Sequence, residues 1–214
     1  MIDIAVVDYG MGNLRSVSKA LEHVAPDKNV IVTSDPAQID AAGRVVFPGQ
    51  GAMPDCMREL DSRGLRQSVI AAAANKPFLG ICIGLQLLFD HSEEGDAAGL
   101  GILAGNVQRF APSDMHDAEG NKLKVPHMGW NQLYQTKAHA LWADIEDGSR
   151  FYYVHSYYVK PENMDLVAGY TEYPSRFTGC VARDNIFAVQ FHPEKSQLAG
   201  LQLLSNFVQW NGHS

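Results

Sequence analysis

Cys82, His192 and Glu194 are the residues whose types and surroundings offer the clearest chemistry. Cys82 stands in Gly80-Ile81-Cys82-Ile83-Gly84, between an apolar run and a run of helix formers. A cysteine with glycines two before and two after has the pattern of a nucleophile elbow. The glycines permit a sharp turn and close approach of neighbouring chain. Such a turn lifts the sulfur out at the carboxyl end of a sheet, where open α/β sheets bind ligands. The start of the following helix favours a thiolate. The Ile83 amide is placed to hold a developing oxyanion. The competing reading of Cys82 is a buried small apolar residue, the common fate of a free cysteine.

The partner chemistry lies in His192-Pro193-Glu194. Pro193 biases His192 toward extended backbone. Residues two apart in an extended chain face the same side, so ring and carboxylate project together. A carboxylate beside an imidazole fixes its tautomer and supports its protonated form. Cysteine, histidine and glutamate then make a nucleophile, a base and an orienter. Alone, the same tripeptide also reads as a surface histidine beside a solvated acid at a helix start. Cys56 and Cys180 have no comparable frame and read as structural.

The elements that must position these groups alternate through the first half. Ile2–Val7 is an apolar run interrupted only by Asp3, as in a strand buried on both faces. A turn at Asp8–Gly12 precedes helical spacing of Leu14, Val17, Leu21 and Val24. Asn29–Thr33 and Arg44–Phe47 read as strands, the second stopped by Pro48-Gly49-Gln50-Gly51. A helix over Leu65–Ala74, a strand over Phe78–Ile81 and a helix from Gly84 to Asp90 follow. This alternation implies a parallel sheet covered by helices. The second half turns β-rich, with strands expected over Leu123–Thr136, Phe151–Val159, Leu166–Tyr170, Phe177–Arg183 and Ile186–Gln190. Arg183–Ile186 reads as a hairpin. An amphipathic helix carries Leu198, Leu201, Leu204, Phe207 and Val208. Residues 93–98 and 111–121 are the least structured stretches. The expected fold class is α/β, one domain over residues 1–214, with a mostly parallel central sheet flanked by helices and an added antiparallel β layer.

Composition excludes several other functions. The chain has 214 residues, enough for one domain with a real core, and its 19 % charged residues are ordinary for a globular protein. The net charge of −7 carries no basic run, which argues against nucleic acid as a partner. No apolar stretch reaches the roughly 18 residues of a membrane helix. MIDIAVVDYG reads as a strand and not a signal peptide. Three scattered cysteines argue against a disulfide framework and fit a reducing cytosol. With no CxxC or HExxH spacing, a metal site has no support.

The elbow segment extended to Leu85-Gln86, with Phe191-His192-Pro193-Glu194 much later, resembles the class I (triad) glutamine amidotransferases. The likeness covers essentially the whole chain. It implies a flavodoxin-like α/β fold, L-glutamine as substrate and a cysteinyl thioester intermediate, with no cofactor. Asp8-Tyr9-Gly10-Met11-Gly12-Asn13-Leu14, Pro48–Met53, Pro126-His127-Met128-Gly129-Trp130-Asn131 and His192–Ser196 are similar to one branch, the glutaminase subunits of imidazole glycerol phosphate synthase. Members of that branch form a heterodimer with HisF, a (β/α)₈-barrel cyclase that receives the ammonia.

By matching position, the resemblance makes Cys82 the nucleophile, His192 the general base and acid, and Glu194 its orienter. Gly49, Gln50 and Gly51 become the oxyanion strand, acting with the Ile83 amide. Many members carry an aliphatic residue where this chain has Gln50, a change tolerable if the backbone amide does the work. Gln86, Glu94, Ser156 and Tyr157 match glutamine-binding positions; Asn13, Met128, Trp130, Tyr152 and Lys195 resemble residues that face the cyclase. Three alternatives remain open: an amidotransferase subunit of another synthase, a non-catalytic docking subunit of the same fold, and a cysteine hydrolase acting on peptides.

Overall fold

The computed structural model describes residues 2–111, 113, 115, 116 and 120–213. The first half alternates as expected. Strand β1 (Ile4–Val7) is followed by helix α1 (Leu14–Val24), β2 (Val30–Thr33), α2 (Pro36–Ala41), β3 (Arg44–Gly49), α3 (Met53–Ser62), α4 (Arg66–Asn75) and β4 (Phe78–Cys82). Every residue of β1 and β4 is buried, which explains their unbroken apolar sequences. In α1, Val17 and Leu21 of the periodic stripe are buried, so the helix is held by one face.

After Cys82 come α5 (Ile83–Gln86), β5 (Phe89–Ser92), β6 (Ala97–Ala98), β7 (Leu103–Arg109), β8 (His127–Gln132), β9 (Tyr134–Gln135), β10 (Arg150–His155), β11 (Tyr157–Pro161), β12 (Val167–Glu172), β13 (Arg176–Arg183), β14 (Ile186–Val189) and α6 (Gln197–Gln209). The central sheet has eight strands in the order β2-β1-β3-β4-β14-β13-β12-β9. From β2 to β14 each neighbouring pair is parallel; from β14 to β9 each is antiparallel. The hairpin expected at Arg183–Ile186 joins β13 to β14, with Asp184 at φ 48° in its turn. A two-stranded sheet (β10-β8) and a four-stranded one (β11-β7-β5-β6) add the remaining β structure.

Several boundaries differ from the sequence reading. The helix after Cys82 is one turn and not a run to Asp90, because Leu85, Leu87, Leu88 and Phe89 are all fully buried and have no polar face to give water. Strand β3 continues through Pro48 to Gly49, whose place opposite Cys82 closes the β3–β4 register. The single strand expected over Phe151–Val159 breaks at Ser156 into β10 and β11, which belong to different sheets. The run expected over Leu123–Thr136 begins at His127 and breaks at Leu133. Antiparallel strands also extend the central sheet itself, so the added β structure is only partly a separate layer. Helix α2 and strands β5 and β7 have no counterpart in the sequence reading. Residues 93–98, expected to be loop, hold a 3₁₀ turn at Glu94–Asp96 and strand β6. Of the other expected loop, Pro112, Asp114 and residues 117–119 lie outside the described residues. Among the described residues no helix is long and apolar enough to cross a membrane.

Candidate active site

Cys82 ends β4 and precedes the first residue of α5, with backbone angles φ 55° and ψ −108°. A non-glycine residue held there stores strain of about 1–3 kcal/mol and persists only where its surroundings over-determine it. The determinants are visible. A Cβ at Gly84 would strike the Phe47 carbonyl oxygen of β3; one at Gly80 would lie 2.9 Å from the Ala188 Cβ of β14. The two elbow glycines therefore provide clearance between strands, and the unusual backbone turn falls on Cys82 itself.

The strand expected to hold the oxyanion lies beside it. Gly49 is in register with Cys82, and a Cβ there would meet the Tyr9 hydroxyl and, at 2.8 Å, the Ile83 Cβ. Gly51 has φ 104°, a left-handed value that favours glycine. The Ile83 amide is the first of α5, where an N–H has no acceptor within the helix. Cys56 is buried beneath this strand and donates from Sγ to the Gln50 carbonyl at 3.5 Å. Burial pushes its thiol up to about 11, despite the opposing Tyr9 hydroxyl, so it stays a neutral donor. Cys180 is buried in β13.

His192 follows β14 with extended backbone (φ −104°, ψ 96°), and Glu194 returns to the ring through a 3₁₀ turn at Pro193–Lys195. His192 Nδ1 and Glu194 Oε1 are 2.9 Å apart, and both side chains are buried. Burial disfavours the charged ring, but the Cys82 sulfur and the Glu194 carboxylate outweigh it and raise His192 to about 10. Nε2 of His192 is buried with no hydrogen-bond partner, which leaves it available for proton transfer. Ser196 holds this segment: its Oγ donates to the His192 carbonyl at 2.6 Å and accepts from the Tyr152 amide at 2.9 Å.

A cavity of about 210 Å³ opens above Cys82. Its wall carries Gln50, Gly51, Ile83, Gln86, Glu94, Ser156, Tyr157 and His192, so residues far apart in sequence converge as expected. Gln86 is fully buried and its Nε2 donates to the Tyr157 carbonyl at 3.1 Å. Glu94 accepts the Met53 amide at 2.8 Å through one carboxylate oxygen, so it also fastens the start of α3. Ser156 sits at the break between β10 and β11, and its carbonyl accepts the Phe110 amide.

Several site residues were not legible in the sequence. His155 lines the cavity, with Nδ1 2.8 Å from the Tyr157 carbonyl and Nε2 3.0 Å from His127 Nδ1. Burial lowers His155 to about 3 and His127 to about 4, so both rings are neutral. The carbonyl requires a proton on His155 Nδ1, which makes Nε2 an acceptor for His127. Gln190 is also fully buried beside Cys82. Ser196 and Gln190 stand four and two residues from His192, but nearness in sequence gave neither a role. Among the described residues, no group of three or more His, Cys, Asp or Glu side chains is arranged to hold a metal ion.

The five residues expected at an interface fall outside the cavity. Met128 and Trp130 are exposed on β8, at 62 % and 42 %. Trp130 pairs with Tyr152 across the β8–β10 ladder, their rings 6.1 Å apart. Lys195 Nζ lies 5.9 Å from the centre of the Tyr152 ring. Asn13 immediately precedes α1, without a side-chain capping bond, and α1 packs near the Pro193–Lys195 turn.

A strained cysteine at the end of a mostly parallel run of strands thus shares one cavity with a histidine that is paired to a buried glutamate. Residues 5–210 match the family model Glutamine amidotransferase class-I, and the chain belongs to that family. The fold agrees with two solved structures of glutamine amidotransferases. One has a TM-score of 0.70 at 14 % identity, over 96 % of this chain and 99 % of the other. A second, from Thermotoga maritima, has a TM-score of 0.58 at 13 % identity, over 90 % and 76 %. The sequence narrows the match. Imidazole glycerol phosphate synthase subunit HisH of Thiobacillus denitrificans is 69 % identical over 98 % of this chain and 92 % of its own length. HisH of Dechloromonas aromatica is 69 % identical over 97 % and 96 %.

Proposed function

We propose that the chain is the glutaminase subunit of imidazole glycerol phosphate synthase. It hydrolyses L-glutamine to glutamate and ammonia and delivers the ammonia to a HisF-type cyclase. The cyclase uses it to form imidazole glycerol phosphate and aminoimidazole carboxamide ribotide in histidine biosynthesis. The observation that carries the catalytic reading is the strained Cys82 backbone in the same cavity as the His192–Glu194 pair. The identity with HisH subunits supports the pathway and the partner.

In this reading the Cys82 thiol passes its proton to His192 Nε2, and the thiolate attacks the side-chain amide carbon of glutamine. The carbonyl π pair moves onto oxygen, and the oxyanion is held by the Ile83 amide and the main chain of Gly49, Gln50 and Gly51. As the intermediate collapses, the carbon–nitrogen bond breaks and His192 gives its Nε2 proton to the departing nitrogen. Ammonia leaves and a glutamyl thioester remains on Cys82. His192 then takes a proton from water, whose oxygen attacks the thioester. The carbon–sulfur bond breaks and glutamate leaves. Glu194 keeps the ring oriented and supports its charge. Gln86, Glu94, Ser156 and Tyr157 hold the amino-acid end of the substrate. Asn13, Met128, Trp130, Tyr152 and Lys195 face the cyclase in a heterodimer.

One type 1 amidotransferase domain over residues 1–214 belongs to this reading, supported by a central sheet that takes strands from both halves of the chain. So does a cytoplasmic location, supported by three free buried cysteines that suit a reducing compartment. Glutamate release measured with purified HisF-type cyclase and its nucleotide ligand, for this chain and its Cys82→Ser variant, tests the whole. Release that depends on the cyclase and is lost in the variant is expected. Release indifferent to the cyclase assigns the chain to another synthase; none at all, with a cyclase competent on free ammonia, leaves a docking subunit.

A further inference from the structure

Gln190 is fully buried, two residues before His192, and its backbone amide is tied to the Gly179 carbonyl of β13 at 2.9 Å. Its side chain has one oxygen and one nitrogen end, and the surrounding bonds decide which end faces the nucleophile. The chain of contacts starts at the Tyr157 carbonyl, which can only accept. Gln86 therefore presents its nitrogen there, at 3.1 Å. That same Nε2 donates its second hydrogen to Gln190 Oε1, also at 3.1 Å. With its oxygen so engaged, Gln190 turns its own nitrogen to Cys82, and Nε2 stands 3.7 Å from Sγ. The polarity is thus set by a backbone carbonyl two side chains away.

We propose that Gln190 is a further catalytic residue, a buried amide donor that holds the Cys82 sulfur and stabilises it as the thiolate. An N–H bond to an ionised acceptor is stronger than one to its neutral form, so the contact gains as the thiol loses its proton. It also divides the labour at the site. His192 Nε2 has no hydrogen-bond partner and stays free to carry a proton while Gln190 keeps the sulfur in place. The inference rests on Cys82 being the nucleophile.

The test is the pH dependence of Cys82 alkylation by iodoacetamide in the full chain, located by peptide mapping. It is compared between the unmodified protein and the Gln190→Met and Gln190→Glu variants. The variants remove the donor while keeping its length, and the readout needs no turnover. The midpoint is expected to rise by about one pH unit in Gln190→Met, so alkylation below it slows roughly tenfold. Gln190→Glu moves it upward too, since an acceptor then faces the sulfur. An unchanged midpoint in a folded variant overturns the proposal. If neither variant folds, nitrogen-edited NMR of the unmodified chain decides. The Gln190 side-chain amide must titrate with the alkylation midpoint, and an invariant resonance overturns the proposal. Glutaminase activity that survives complete alkylation of Cys82 removes the nucleophile assignment itself, and this inference with it.

Discussion

Cys82 is strained in its backbone, and that strain can be separated from the chemistry proposed for its sulfur. At φ 55° and ψ −108° alanine keeps the strain while glycine relieves it. Cys82→Gly is therefore expected to be more stable than Cys82→Ala by about 1 kcal/mol, the reverse of the usual order. Urea unfolding of the two inactive variants checks this. The histidine partner gives a second prediction. His192 is raised to about 10, against the cost of burial, by Cys82 and Glu194. Glu194→Gln removes one of those supports, so the alkaline limb of kcat is expected to move to lower pH. Activity should fall about 10²–10⁴-fold, by analogy with loss of an orienting carboxylate elsewhere. The neutral pair His127 and His155 acts in the opposite sense. Their folded values, about 4 and about 3, lie below the ordinary 6.5. Their stability contribution is complete above 6.5 and is lost as the pH falls toward 4. Unfolding free energy is expected to drop by a few kcal/mol between pH 7.5 and 5, more than in a His127→Gln variant. At this scale the triad was legible because glycine framing and an HPE tripeptide are local patterns. The roles of Gln190, His155 and Ser196 depend on contacts across strands, which no spacing reveals.

The elements serve the site mainly by approaching one another closely. Strand β3 passes over α5 so tightly that Gly84 has no room for a methyl group beside the Phe47 carbonyl. Gly84→Ala must push β3 away from α5. Since β3 carries Gly49 to its place opposite Cys82, glutaminase activity is expected to collapse together with about 1–3 kcal/mol or more of stability. Normal activity in that variant would show that the oxyanion strand tolerates displacement. Most of the parallel core was readable, because strands buried on both faces leave unbroken apolar runs. The turn into β5 was not. Gly84–Phe89 is apolar at nearly every position, and such a run does not distinguish a buried helix from a buried strand. Strand β7 was missed for a different reason: Gly105, at φ 134°, occupies one of its three inward positions and interrupts the apolar alternation.

On the scale of the whole molecule, five parallel strands deliver the elbow and the histidine to one end of the sheet. The antiparallel strands continue that sheet, and strands β10 and β11 meet at Ser156 on the cavity wall. Strand order is a matter of long-range pairing, which explains why the sequence suggested an added β layer but not its continuity with the central sheet. The exposed Met128 and Trp130 carry the proposed partner contact. Trp130→Ala is expected to weaken cyclase binding at least tenfold, as loss of an aromatic anchor does, while shifting the melting temperature little. Calorimetric titration with the cyclase measures it. The most direct test lies at the nucleophile. The complex is quenched with acid during steady-state turnover of glutamine, and the peptide containing Cys82 is analysed by mass spectrometry. A glutamyl adduct on Cys82, absent without glutamine and absent in Cys82→Ser, is the predicted result. Full turnover in Cys82→Ser, or an adduct on Cys56 or Cys180 in its place, would contradict the assignment of Cys82 as the nucleophile.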